Sequence, residues 1–142
     1  MNNPNTILLI DDDSTTNLVN KYFAEAIDET IDVVTAGNGL QALEFLENSA
    51  IEAIGPCFIV LDIMMPTMNG WEFLAEFENR FDAAFKEKIT ITILTGFESN
   101  EITEKAERNV LVKDIVHKPL SEDKFIALIA KHYSGELAKS VK

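Results

Sequence analysis

The chain has 142 residues, which is enough for one domain with a full hydrophobic core. Its 12 basic and 24 acidic residues give a formal net charge of −12. Nucleic acid and anionic membrane surfaces both need a basic face, so we expect no direct binding to either. The single cysteine, Cys57, excludes an internal disulfide and suits a reducing compartment. The sequence has no apolar run of membrane-spanning length and no secretory signal at its start, so we expect a cytoplasmic protein without membrane insertion.

Five short apolar runs, each bounded by polar residues, predict buried β-strands. They cover approximately residues 6–11, 31–35, 58–62, 89–95 and 115–117. Segments with helical periodicity separate them, and this alternation predicts a parallel sheet with helices on both faces. The runs are apolar almost throughout, as strands that are covered on both faces require.

Five helices are predicted between and after these strands. The first covers residues 14–27 and carries an apolar stripe, which is typical of a helix packed against a core. The residues of this stripe are Leu18, Val19, Tyr22, Phe23, Ala26 and Ile27. The other four helices begin near Gly39, Gly70, Glu98 and Ser121. The pattern of the third helix extends toward Phe85, and the fourth helix is polar with few apolar anchors.

Polar side chains stand where four of the predicted strands end. Asp11-Asp12-Asp13 follows the first strand, Asp62 ends the third, Thr95 ends the fourth and Lys118 follows the fifth. The carboxyl ends of parallel strands meet at one edge of a sheet, where ligands bind in open α/β folds. Two carboxylates about 4 Å apart repel by roughly 4 kcal/mol at an effective dielectric near 20, so three at one site require a cation. Oxygen ligands suit Mg2+, and a lysine and a threonine suit a phosphoryl group, so the pattern predicts phosphoryl chemistry.

These segments, in this order and each at a strand end, resemble a response-regulator receiver domain of two-component signalling. Much of the resemblance is carried by Leu61-Asp62-Ile63-Met64-Met65-Pro66-Thr67-Met68-Asn69-Gly70. It covers residues 5–133, which we take as the domain, and leaves 134–142 as a short polar tail. It implies a flavodoxin-like, doubly wound parallel sheet of five strands in the order 2-1-3-4-5. With no output domain, we expect a stand-alone regulator that docks to a protein target or relays its phosphoryl group.

The resemblance also implies a role for each candidate site residue. In that family the aspartate that ends the third strand, here Asp62, accepts a phosphoryl group from a sensor histidine kinase or a phosphotransfer protein. The acidic pair, here Asp11-Asp12, holds Mg2+ together with the acceptor and the backbone carbonyl two residues beyond it, here that of Met64. Thr95 and Lys118 are expected to contact the phosphoryl oxygens. The protein would then be a signalling domain rather than an enzyme, acting on a downstream protein that the sequence does not name.

Some positions depart from the family pattern. Ile115 stands three residues before the lysine, where many receivers carry an aromatic residue that changes rotamer on activation. Gly96 replaces a common alanine, and Leu111-Val112 replaces the usual Gly-Ala before the fifth strand. Met64 and Phe97, two residues beyond the acceptor and two beyond the threonine, can neither accept a proton nor hold a water by a strong hydrogen bond. We therefore expect the phosphoryl group to be long-lived.

Two other functions match part of the pattern. Asp11-x-Asp13 after an apolar strand resembles the nucleophile motif of haloacid-dehalogenase-like phosphatases, whose later motifs Thr95 and Lys118 could serve. That interpretation lacks an acidic pair after Lys118 and leaves the Asp62 segment unexplained; in a receiver, Asp13 would be a solvated or helix-start residue. The other alternative is a degenerate receiver that acts only as a docking module, against which the complete set of candidate residues argues.

Overall fold

The structure is a computed structural model that describes residues 3–96 and 99–133, apart from the side chains of residues 51 and 52. Phe97, Glu98 and the expected tail 134–142 lie outside the described residues. One parallel sheet has the strand order β2-β1-β3-β4-β5. Its strands are β1 (Thr6–Ile10), β2 (Asp32–Ala36), β3 (Cys57–Asp62), β4 (Ile89–Thr95) and β5 (Val112–His117). The predicted fold class and strand order are confirmed.

Helices connect the strands and cover both faces of the sheet. They are α1 (Ser14–Ile27), α2 (Gly39–Glu47), α3 (Ile51–Ile54), α4 (Gly70–Arg80), α5 (Ala83–Glu87), α6 (Asn100–Arg108) and α7 (Glu122–His132). The short helices α3 and α5 are additions to the predicted set. Ser121 caps α7 as expected, because its side chain accepts the N–H of Lys124 at 3.1 Å. None of the described helices is both long enough and apolar enough to span a bilayer.

Two apolar layers hold the helices on the sheet. The alternation of β1 sends Leu8 and Ile10 into the layer that contains α2 and α4. Ile7 and Leu9 face the opposite layer, which contains residues of α1 and α7. Every residue of β1 and β3 is buried. The ends of these central strands therefore have firmly fixed positions.

Helix α1 turns to the sheet only part of the face that its apolar stripe predicts. Phe23 and Ile27 of the stripe are partly buried against the layer that contains residues of α7. Leu18 and Tyr22 are 68% and 70% exposed, whereas Asn17, Asn20 and Ala24 are buried. The prediction was wrong for Leu18 and Tyr22, because Asn17 and Asn20 occupy buried positions of the helix instead. A buried amide is tolerated when protein hydrogen bonds replace those to water, and Asn17 makes two such bonds to main-chain carbonyls.

Helix α4 ends before its apolar pattern does. Phe81 adopts an extended conformation, and the side chain of Asp82 starts α5 by accepting the N–H of Phe85 at 2.9 Å. The rings of Phe81 and Phe85 stack with centroids 4.5 Å apart. The apolar pattern therefore continues across an interruption of the helix, where the capping aspartate starts a new helix.

Strand β5 begins at Val112, three residues before the predicted start. Its register with β4 shifts just before Thr92, which indicates a β-bulge. Asp114 accepts a hydrogen bond from Thr92 at 3.2 Å and contacts the ammonium of Lys131 and the ring of His132. Burial raises the pKa of Asp114, but the bonds from α7 outweigh this effect and lower it. These contacts explain how a charged segment can continue the sheet.

Candidate functional site

The strand register brings the candidate carboxylates to one edge of the sheet. Ile10 pairs with Leu61, the residue before Asp62, so Asp11 and Asp62 lie side by side. One carboxylate oxygen from each of Asp11, Asp12 and Asp62 lies within 4.8 Å of the other two. Within the described residues, this is the group of acidic side chains that lies close enough together to hold a metal ion.

The three carboxylates differ in exposure. Asp11 and Asp62 are 3% and 4% exposed, while Asp12 is open to solvent. The Nζ atom of Lys118 lies 2.9 Å from Oδ2 of Asp11 and 3.6 Å from Oδ2 of Asp62. The ammonium therefore offsets part of the negative charge of the two buried carboxylates.

The surroundings shift the pKa of the Asp62 carboxyl and that of the Lys118 ammonium. The pKa of Asp62 is raised from 3.8 to about 6, chiefly by burial and then by the neighbouring charge of Asp11. The ammonium of Lys118 and the N–H of Met64, which donates to Asp62 Oδ1 at 3.3 Å, act in the opposite direction. Burial lowers the pKa of Lys118, but bonds and charges from Asp11 and Asp62 outweigh burial and raise it. The site therefore carries an excess of negative charge that a divalent cation would neutralise.

Asp13 has a different role from its two neighbours. Its side chain caps α1 by accepting the N–H groups of Thr15 at 3.0 Å and Thr16 at 3.4 Å. The hydrogen bond from the N–H of Thr16 is the main cause of its lowered pKa. Asp13 is thus a helix-start residue outside the carboxylate group. Its engagement in the cap argues against the phosphatase interpretation, which needs Asp13 in the reaction.

Gly70 returns the loop after Asp62 to the end of β3. Its N–H donates to the carbonyl of Ile63 at 2.9 Å. A Cβ atom on Gly70 would lie 2.6 Å from Cδ1 of Ile63 and 2.8 Å from the carbonyl oxygen of Asp62. Only glycine fits there without displacement. A capping box between Asn69 and Glu72 then fixes the start of α4.

The remaining candidates lie around this edge. Thr95 ends β4 in a buried position, and its carbonyl accepts the N–H of Lys118 at 2.7 Å. Met64 lies two residues beyond Asp62 with its side chain 57% exposed. The roles of the Thr95 hydroxyl and the Met64 carbonyl stay predictions.

Two residues that contribute to the site were not predicted from the sequence. Asn17 bonds to the main chain at the ends of β1 and β2. Gly39 lets Met68 of the loop after Asp62 rest on the start of α2, since a Cβ atom there would lie 2.8 Å from Cγ of Met68. The available signal for the first was the spacing of Asn17, Asn20 and Ala24, which share one face of a helix.

The donor set fits Mg2+. The three carboxylates supply hard oxygen ligands, and burial together with the charge of Asp11 raises the pKa of Asp62, which a bound cation would counteract. Asp12 faces solvent, which suits an ion that keeps several of its waters.

The model of the response regulator receiver domain family matches residues 7–130. The chain belongs to this family. It is similar to hybrid signal transduction histidine kinase D of Dictyostelium discoideum, with 30% identity over 139 residues, which cover 98% of this chain and 8% of that protein. It is also similar to the regulatory protein VanRB of Enterococcus faecalis, with 33% identity over 140 residues, which cover 96% of this chain and 56% of that protein. Among solved structures, a two-component response regulator from Cytophaga hutchinsonii has a TM-score of 0.80 and 27% identity, with coverage of 94% of this chain and 99% of that one.

These curated relatives are longer proteins. The chain spans about half of the regulatory protein and a small part of the hybrid kinase. The chain therefore contains a signalling domain of two-component systems rather than a classical enzyme, as predicted.

Proposed function

We propose that this receiver domain accepts a phosphoryl group on Asp62 in the presence of Mg2+. The donor would be a sensor histidine kinase or a phosphotransfer protein. The observation that carries the proposal is the meeting of Asp11, Asp12 and Asp62 with Lys118 at one edge of the sheet. Membership of the receiver family is the second support.

Asp11, Asp12 and Asp62 would hold the ion together with the backbone carbonyl of Met64. When bound, Mg2+ neutralises negative charge on the carboxylates and on the phosphoryl oxygens. Asp62 must be ionised to act as a nucleophile. With a pKa of about 6, most of it is ionised at neutral pH.

The proposed reaction is an in-line displacement at phosphorus. A carboxylate oxygen of Asp62 bonds to phosphorus as the phosphorus–nitrogen bond of the donor's phosphohistidine breaks, and the electron pair of that bond returns to the imidazole. Lys118 has a flexible stem, so its ammonium can move from Asp11 to a phosphoryl oxygen. The Thr95 hydroxyl would donate a hydrogen bond to another phosphoryl oxygen.

The proposed response to phosphorylation is a movement of α6. A phosphoryl group adds about −1.5 to −2 charges, and Thr95 and Lys118 would be drawn toward it. Helix α6 follows β4 in the chain and has Ala106 as its one buried residue, so we expect it to move readily. Ile115 packs in the same cluster as Ala106. We propose that contact between these two residues, rather than an aromatic rotamer change, carries the shift to a downstream protein partner.

Labelling with acetyl phosphate and Mg2+ tests the assignment. The wild type should gain the mass of one phosphoryl group, and Asp62→Asn should gain none. Asp13→Asn is the matched control, because it removes an adjacent carboxylate but keeps an oxygen that can cap α1. Undiminished labelling of Asp62→Asn would overturn the proposal.

The same experiment separates the alternatives. Loss of labelling in Asp13→Asn, together with turnover of a phosphomonoester by the wild type, would favour the phosphatase. A wild type that neither binds Mg2+ nor takes up a phosphoryl group would favour a docking module.

A further inference from the structure

Asn17 of α1 bonds to the main chain directly behind the carboxylate group. It is 6% exposed, and its Nδ2 donates to the carbonyl of Asp11 at 2.9 Å and to that of Ala36 at 3.3 Å. The same Ala36 carbonyl accepts the N–H of Asp11 at 3.1 Å. One amide therefore ties the ends of β1 and β2 at the residue that carries a candidate metal ligand.

A closed set of hydrogen bonds links Asn17 to the carboxylate of Asp11. The N–H of Asp13 donates to Asp11 Oδ1 at 2.9 Å, and the N–H of Asn17 donates to the carbonyl of Asp13 at 3.1 Å. The side chain of Asn17 then returns to the carbonyl of Asp11. Asp11 is held at its main chain and at one carboxylate oxygen, while Oδ2 faces the ammonium of Lys118.

We propose that Asn17 is a positioning residue of the metal site, which orients the Asp11 carboxylate toward Mg2+ by fixing the main chain of Asp11. This inference rests on the proposed function. The chemistry of the position requires an amide. An apolar side chain would leave two carbonyls without this donor, and a carboxylate would set its oxygens against them and add negative charge to a buried site.

The test compares Asn17→Leu with Asn20→Leu in the full chain. Both variants replace a buried asparagine of α1 with a side chain of similar volume. None of the described side-chain hydrogen bonds joins Asn20 to Asp11 or Ala36. Urea unfolding without metal measures the stability of each variant, and calorimetric titration measures its Kd for Mg2+.

Loss of a group that orients a metal ligand typically lowers metal affinity 10- to 100-fold. We therefore expect the Kd of Asn17→Leu for Mg2+ to rise about tenfold or more, and that of Asn20→Leu to stay within about twofold of the wild type. The Mg2+ concentration that gives half-maximal labelling by acetyl phosphate should rise by the same factor as the Kd. The labelling rate at saturating Mg2+ should stay near that of the wild type, because the acceptor itself is intact.

An unchanged Kd in Asn17→Leu, with stability lost to the same extent as in Asn20→Leu, would overturn the inference and leave Asn17 a purely structural role. If Asn17→Leu does not fold, Asn17→Ala and Asn20→Ala replace the pair with the same expected contrast. If the wild type binds Mg2+ and the Asn17 variant binds it with the same Kd, only the role of Asn17 is overturned. A wild type that neither binds Mg2+ nor becomes labelled overturns the proposed function and this inference with it.

Discussion

Neutralising Asp62 should stabilise the metal-free protein at neutral and alkaline pH. The pKa of Asp62 is raised from 3.8 to about 6, chiefly by burial and then by the charge of Asp11. A carboxylate with a higher pKa in the folded state stabilises the fold fully below about pH 4 and loses that contribution as the pH rises through 6. The loss is at most about 3 kcal/mol, and solvent screening at the rim of the site reduces it to about 1–3 kcal/mol. Asn does not titrate, so Asp62→Asn avoids the loss.

Urea unfolding in the presence of a chelator, at pH 5 and pH 8, measures this effect. We expect Asp62→Asn to exceed the wild type in stability by about 1–3 kcal/mol at pH 8 and by roughly half as much at pH 5. Asp32→Asn, which changes an exposed carboxylate at the start of β2, controls for the general effect of losing a charge. Saturating Mg2+ should reduce or reverse the difference, because it stabilises the wild type by mass action. Equal stability at pH 8, or a difference that is the same at both pH values, would refute the reasoning.

Four further outcomes follow from the geometry. Lys118→Met should lower metal-free stability, because two buried carboxylates lose their ammonium. The same variant should show a larger rise in melting temperature on adding Mg2+, because no side-chain cation then competes with the ion. Gly70→Ala should lower the free energy of unfolding by about 2–3 kcal/mol in urea, because a Cβ atom would lie 2.8 Å from a main-chain oxygen of β3. Phosphorylation should change the fluorescence of Trp71, the only tryptophan in the sequence, because Lys105 of α6 lies 4.8 Å from its ring. Met64→Asn should shorten the lifetime of the phosphoryl group, measured by loss of the added mass, because an amide can hold a water near the acceptor.

Matched variants separate these effects from general damage. Gly37→Ala should change stability by less than about 0.5 kcal/mol, since its Cβ atom would lie 3.4 Å from Oε1 of Gln41, at the end of a flexible side chain. Lys105→Gln should remove most of the fluorescence change without preventing phosphorylation. Met64→Leu should keep the wild-type lifetime. A fully phosphorylated protein with unchanged Trp71 emission would contradict the displacement of α6, and an unaltered lifetime in Met64→Asn would rule out shielding by that side chain.

The strands and the position of the site were predictable because both depend on local patterns. Strand β4 has the predicted bounds, Ile89–Thr95, because its residues are apolar or β-branched throughout. A polar residue that ends an apolar strand marks where the chain leaves the core. In a parallel sheet such residues collect at one edge, so Asp62, Asp11 and Lys118 could be placed together before any contact was known.

The features that could not be predicted depend on partners far away in the sequence. The buried face of α1 follows from bonds between Asn17 and a carbonyl 19 residues further along the chain. The early start of β5 depends on contacts from Asp114 to the end of α7. The interruption of the helix after α4 is different, because the residue that causes it, Asp82, is adjacent in the sequence. The phenylalanines on either side of Asp82 continue the apolar pattern, so the pattern gave no sign that the helix ends.

The contacts of Asp114 have a consequence for association between molecules. Strand β5 is at an edge of the sheet, and the main-chain groups of an edge strand can pair with a strand of another chain. The bulge before Thr92 disturbs the regular spacing of those groups, and the inward carboxylate of Asp114 is tied to Lys131 and His132. An added strand would therefore meet an irregular edge beside charge that is already paired. Strand β5 is thus a poor template for aggregation.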